Sequence, residues 1–224
     1  MVISPVTNYA TYMSLLSLLT FVDKQHENDD IYTFRFSVKH KLDHKAGQHG
    51  IFMLPGLYRP HPFTLSSSPD EKYVTFSTHT ATGSKFKQRI LNLKPGAKMF
   101  LLGPILNFTF IEGASKYVFL AQGIGVTPFR SMLAYAHANQ LPITTTLIHV
   151  DGKGHTFEKL TQQYATLANY PTNPDEFKKI VQDQDVDQPF YLSGSPRFVS
   201  ATKLLLNECG VQPKNIRTDS FFGY

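Results

Sequence analysis

Tyr117-Val118-Phe119-Leu120-Ala121-Gln122-Gly123-Ile124-Gly125-Val126-Thr127-Pro128-Phe129 is the stretch on which the architecture turns. The apolar run from Tyr117 to Ala121 predicts a strand. Gly123 and Gly125 predict a tight turn, Pro128 suits the first turn of a helix, and Phe129, Met132, Leu133 and Ala136 then share one face at helical spacing. Strand, glycine turn and helix in that order predict a parallel βαβ unit. The amides of Gly123, Gly125, Val126, Thr127 and the helix start at Pro128 could hold a diphosphate. A tight turn also needs glycine for its backbone angles whether or not it binds anything, so both readings stand at this point.

Toward the C-terminus the alternation continues. Ile143 to Val150 reads as a strand and Phe157 to about Ala168 as a helix; a further helix runs from Pro174 to Gln182, opened by Asn173 and Glu176. Pro189 to Ser193 is the next strand and Pro196 to Glu208 the last helix, closed by Gly210. Between them Ser193-Gly194-Ser195-Pro196 forms a second small-residue turn. Ligands of open α/β sheets sit outside the carboxyl ends of the strands, so the two turns could line one crevice. Ser195 as a plain helix cap with Pro196 in the first turn explains the same residues.

Toward the N-terminus the pattern changes to short alternating runs: Leu18 to Val22, Tyr32 to Ser37, His49 to Leu54, His61 to Ser66, Tyr73 to Thr78 and Lys98 to Leu102. These spacings predict a closed antiparallel barrel, interrupted by one helix from Ser84 to about Asn92 that Lys94-Pro95-Gly96 ends. A polar joint at Glu112-Gly113-Ala114-Ser115 divides the chain into a β-barrel domain, 1–112, and an α/β parallel-sheet domain, 113–224.

Composition narrows the function classes. A single Cys, Cys209, excludes an intramolecular disulfide and a four-thiolate iron–sulfur cluster built by these 224 residues alone. The formal charge of +5 is spread along the chain, which argues against nucleic acid and mildly for an acidic partner. The apolar stretch from Tyr12 to Phe21 is too short to span a bilayer and lacks a basic leader, so a cytoplasmic protein without an integral membrane segment is expected, as a monomer or weak dimer. His137, His149 and the other histidines show no ligand spacing, and no metal is expected.

Five markers carry a resemblance: Ala46-Gly47-Gln48, His61-Pro62-Phe63-Thr64, Gly83-Ser84 before a helix, Gly123 to Pro128, and Phe221-Phe222-Gly223-Tyr224. In this order, from about residue 18 to the end, the chain resembles the ferredoxin-NADP reductase superfamily, and within it the branch with ferric reductases and NADPH oxidases. The resemblance implies an FAD-dependent NAD(P)H oxidoreductase, with hydride passing from NAD(P)H to FAD and electrons going on to a ferredoxin, a flavodoxin, a ferric chelate or a membrane or oxygenase subunit. It equally admits a nucleotide-binding electron-transfer subunit of a larger complex, or a flavin reductase that treats free flavin as substrate.

Roles follow by position. The resemblance implies that Pro62 and Phe63 line the flavin, that Thr64 hydrogen-bonds its reactive edge, and that Ser77 to His79 form a second flavin contact. His61 stands where many relatives carry an Arg for the FAD diphosphate, so this contact is expected to be weaker or pH-dependent unless Arg59 assists. Gly83 and Ser84 would offer amides to the diphosphate. Ser193 stands where many relatives have a Cys beside the hydride-transfer line, followed by Gly194, Ser195 and Pro196, and Phe222 or Tyr224 would stack on the flavin. Asp151 would accept from an unmodified ribose, whereas Lys153 and His155 could bind a 2′-phosphate; the balance favours NADH.

Overall fold

The computed structural model describes residues 16–57, 59–81 and 83–221. The N-terminal unit is a six-stranded antiparallel sheet of β1 (Leu16–Asn28), β2 (Ile31–Val38), β3 (His49–Met53), β4 (His61–Thr64), β5 (Val74–His79) and β6 (Lys98–Ile105), in the order β4-β3-β6-β1-β2-β5. Alternation along the strands turns Leu19, Phe21, Phe34, Phe36, Phe52, Phe76, Met99 and Leu101 into one core, where their apolar surface leaves water. Phe76 is its hub, with ring centroids 4.4 Å from Phe52 and 4.6 Å from Phe63. Helix α1 (Lys85–Leu91) adds Phe86 and Ile90 to this core.

The sheet is rolled rather than closed. Its end strands β4 and β5 share no ladder, contrary to the closed barrel expected from strand number. Just past β4, Ser66 N donates to Thr75 O at 2.9 Å, and the Ser66 hydroxyl meets those of Thr75 and Ser77 at 2.9 and 3.2 Å. The short β4 ends at Thr64, so side chains and one turn bridge a gap that a longer strand would have paired.

The C-terminal unit is a five-stranded parallel sheet of β7 (Lys116–Gln122), β8 (Thr144–Val150), β9 (Leu167–Asn169), β10 (Phe190–Gly194) and β11 (Ile216–Ser220), in the order β11-β10-β7-β8-β9. Central β7 is buried on both faces: Tyr117 and Phe119 pack toward α2 (Thr127–Ala138), Val118 and Leu120 toward α4 (Pro174–Gln182) and α5 (Pro196–Glu208). Two strands escape the sequence pattern. Helix α3 (Glu158–Tyr164) stops before Ala165, because Thr145 and Thr166 exchange backbone N–H for side-chain hydroxyl at 3.1 and 3.2 Å and draw the next residues into β9. The polar β11, Ile-Arg-Thr-Asp-Ser, is an edge strand whose pairing with β10 comes from the ladder and not from apolar alternation.

Candidate functional site

The C-terminal sheet reverses its winding between β7 and β10, and both glycine turns leave the sheet there. Gly123–Val126 forms a 3₁₀ turn running straight into α2. A Cβ on Gly125 would lie 2.3 Å from the Ser193 carbonyl oxygen, so the two turns touch backbone to backbone and only glycine fits. Ser195 Oγ caps α5 by accepting from Phe198 N at 3.3 Å and donates to Gln122 Oε1 at 2.5 Å, with Pro196 first in the helix. Beneath the first turn, fully buried His149 meets Gly123 O through Nε2 at 3.0 Å. Burial and neighbouring His155 depress its pKa to about 3 against that hydrogen bond, so it stands neutral and donates to the carbonyl.

Facing these turns, β4 and β5 present the aromatic and hydroxyl residues. A cavity of about 200 Å³ is walled on the sheet side by His61, Pro62, Phe63, Thr64, Ser77 and His79, and on the other by Ile124, Thr127, Asp219 and Phe221. Thr64 Oγ1 is 3.0 Å from His49 Nε2, which is also 3.2 Å from Asp219 Oδ2, off the hydrogen-bond axis. A carboxylate beside Nε2 favours the tautomer with the proton there. Thr64 then accepts from His49 and keeps its own hydroxyl proton for whatever fills the cavity. Neighbouring Ser193 Oγ, beside Asp219 in the ladder, and His49 Nδ1 are buried with no hydrogen-bond partner among the described residues. Such groups at a cleft mark a place where polar ligand edges complete the structure.

Other expected residues make contacts within the protein. The Ser77 hydroxyl is taken by Thr33 at 2.7 Å. His61 stacks on Phe86, centroids 4.0 Å apart; burial, with the charges of Lys87 and Arg59, lowers its pKa and keeps it neutral. His79 Nδ1 pairs with Asp30 Oδ1 at 2.7 Å. Burial pushes the Asp30 carboxyl up, but the His79 hydrogen bond and the Ala81 and Thr80 amides outweigh it and hold the pKa at about 2. Gly83 and Ser84 precede the seven-residue α1, and the Ser84 side chain makes no capping bond. Phe222 and Tyr224 lie outside the described residues; Phe221, read in the sequence only as part of a marker, is the last aromatic among the described residues and lines the cavity.

Asp151 stands apart, in a second cavity of about 430 Å³ beyond the end of β8, with Asn173, Phe177, Phe198 and Thr202. The two basic side chains beside it are turned elsewhere: Lys153 Nζ pairs with Asp29 Oδ2 at 2.7 Å, and His155 packs 4.7 Å from Tyr170. His49, Lys87 and Asp219 line the first cavity and were not read as site residues. His49 directly follows the Ala-Gly-Gln marker, which is the one sequence signal that pointed to it; a lone acid in β11 and a helix lysine carry none.

A six-stranded antiparallel sheet joined to a five-stranded parallel sheet, with a cleft where the turns of the second face β4 and β5 of the first, is the two-domain fold of the ferredoxin reductase-like FAD- and NAD-binding oxidoreductases. The flavohem-like FAD/NAD binding domain of nitric oxide dioxygenase from Vibrio cholerae superposes with a TM-score of 0.75 over 92% of this chain and 98% of that one, at 21% identity. Ferredoxin-NADP+ reductase from Plasmodium falciparum gives 0.71 over 91% and 95%, at 15% identity. By sequence, the 2-halobenzoate 1,2-dioxygenase electron transfer component of Burkholderia cepacia is 24% identical, covering 91% of this chain and 66% of its own length. Sequence relatives and structural neighbours alike fall in that superfamily of oxidoreductases. No protein-family model matches the chain. The chain spans between about half and two thirds of the length of the curated relatives it matches first, 48% and 66%. Among the described residues no helix is long and apolar enough to cross a membrane.

Proposed function

We propose that the chain is an FAD-dependent NAD(P)H oxidoreductase unit of the His-Pro-Phe-Thr branch, with residues 1–112 holding the flavin and 113–224 the nicotinamide nucleotide. The observation that carries this reading is the cavity walled by both units, where Phe63 and Thr64 face Ile124, Thr127 and Phe221. When bound, FAD supplies the capacity to accept a hydride from the nicotinamide and release electrons onward.

The chain's own contribution is alignment and charge. Phe63 and Phe221 would wall the flat ring, Thr64 would offer its hydroxyl proton to the polar edge, and His49, with Asp219 beside it, would hold that hydroxyl in place. Ser193 supplies a hydroxyl at the nicotinamide side, and the turn at Gly123 to Pro128 receives the nucleotide diphosphate at the start of a twelve-residue helix. Asp151 accepts from the ribose, and with Lys153 held by Asp29 the site favours NADH. A relative named as an electron transfer component supports a protein acceptor ahead of free flavin or a ferric chelate.

The visible spectrum of the purified chain, recorded anaerobically before and after NADH and then NADPH, tests the reading. Two flavin bands that bleach faster with NADH are expected. A protein that takes up no flavin overturns it.

A further inference from the structure

Six large apolar side chains are exposed among the described residues, and four of them gather on one side of the N-terminal unit: Leu16 and Leu18 of β1, Phe100 of β6, and Leu106 just beyond it. In the ladder Leu16 stands opposite Leu102 and Leu18 opposite Phe100, so these side chains share the outer face of the sheet, which half-buried Ile51 and Met53 of β3 continue. From Phe100 the chain leads to Leu106, about 20 Å further along. Leu106 is 57% exposed and has a φ of +64°, a backbone angle that leucine rarely adopts. This turn is held from both units: Gln48 Nε2 donates to the Leu106 carbonyl at 3.0 Å, and Arg217 donates to the Asn107 carbonyl at 3.4 Å. Single exposed leucines need no explanation, but an apolar strip that ends in one fixed under strain marks a contact surface.

What sits on the strip follows from its charge and its position. Residues 16–20 of β1 and all of β3, β4 and β6 contain no Asp or Glu, whereas Lys98, opposite Thr20, stands at one end of the strip and Arg217 beside Leu106 at the other. Lys98 Nζ donates to the Thr20 hydroxyl at 2.7 Å, and neither cation has an ion pair among the described residues. An acid-free apolar face between two such cations complements an apolar contact ringed by carboxylates. Leu106 also lines the cavity between the units, and with Asp219 it lines a neighbouring hollow of about 280 Å³ that includes Arg217. Asp219, the one acid lining that hollow, is turned to His49. A protein resting on Leu106 therefore lies against the cavity from which electrons would leave. We propose that the strip from Leu18 and Phe100 to Leu106 and Arg217 is the docking surface for an acidic redox protein that takes those electrons; the inference rests on the flavin reading above. One NADH, oxidised to NAD+, then reduces two one-electron carriers and releases one proton.

The test is NADH-driven reduction of a purified acidic [2Fe–2S] ferredoxin and, separately, of a neutral quinone by the wild type, Phe100→Ser and Arg217→Glu. Arg217→Glu should raise KM for the ferredoxin about 10-fold and Phe100→Ser about 3- to 10-fold, while kcat/KM for the quinone stays within about twofold. In the wild type the ferredoxin KM should rise with ionic strength, and in Arg217→Glu it should rise less. A wild type that reduces the quinone but not the ferredoxin, or variants that leave the ferredoxin KM unchanged, overturn the proposal. Equal losses with both acceptors in Phe100→Ser report a structural role and overturn it too. Two further readouts would name another occupant and do the same: a sedimentation mass that falls in Phe100→Ser points to a second copy of the chain, and co-sedimentation with phosphatidylserine vesicles that Phe100→Ser abolishes points to a membrane. A wild type that reduces neither acceptor is a different failure, that of the functional reading itself.

Discussion

The two walls of the cleft are made of different material. On the side of the C-terminal sheet the wall is built around backbone: glycine turns, a helix start and a carbonyl packed so close to Gly125 that no Cβ fits. On the side of the N-terminal sheet it is side chain: Thr64 held by His49, and His61 stacked on Phe86. A backbone wall has one solution and fails abruptly, whereas a side-chain wall degrades by steps and can be retuned residue by residue.

The largest expected effect therefore comes from a single methyl group. Gly125→Ala should drive the turn away from Ser193 at a cost of about 1–3 kcal/mol and slow flavin reduction by NADH more than 100-fold in stopped-flow traces, on the order of what misplacing a reacting group costs. Flavin content should survive, and its loss would show that the walls are not independent. Thr64→Val comes next. With the hydroxyl gone, hydride transfer should slow about 10- to 100-fold with little change in KM, as befits an interaction made at the reacting edge. A change confined to KM would assign Thr64 to binding alone.

His149 links the backbone wall to pH. Its folded pKa of about 3 lies below the 6.5 of an ordinary histidine, so the unfolded chain takes up the proton first on acidification. Stability is therefore intact above pH 6.5 and falls between there and about 3, by about 2 kcal/mol at pH 5. Urea unfolding at pH 7 and pH 5 should show this difference shrink in His149→Gln, and an undiminished difference would place the acid sensitivity elsewhere. The smallest effect is at the surface. Asp29→Ala releases Lys153 for a 2′-phosphate and should shift the NADPH-to-NADH ratio of kcat/KM by about two- to fivefold, no more, since exposed ion pairs are weak.

The same contrast explains what could be read in the sequence. Helices 174–182 and 196–208 match their expected bounds because local caps set them: Asn173 accepts from Glu176 N, and Ser195 from Phe198 N. The Gly123 to Pro128 turn was equally legible, since its geometry is encoded where it stands. Asp219 and Lys87 gain their meaning only from residues that are distant in sequence, and β9 and β11 only from their neighbours in the sheet. The open seam between β4 and β5 was illegible for a related reason: strand spacing gives the number of strands, not whether the last meets the first.

The β1–β2 turn reaches across to the loop after β8. Asn28 donates to Gly154 O and accepts from Thr156 Oγ1 at 2.8 Å, while Asp29 holds Lys153. On another flank Arg130 grips Glu71 and donates to Ser66 O at 2.9 Å, and Ser131 donates to Ser67 O at 2.7 Å. Two units latched at separate points cannot swing about one hinge. The distance across the cleft is thereby set during folding, with its ordering entropy spent before any ligand arrives, and turnover should be indifferent to solvent viscosity where a closing clamshell would be slowed.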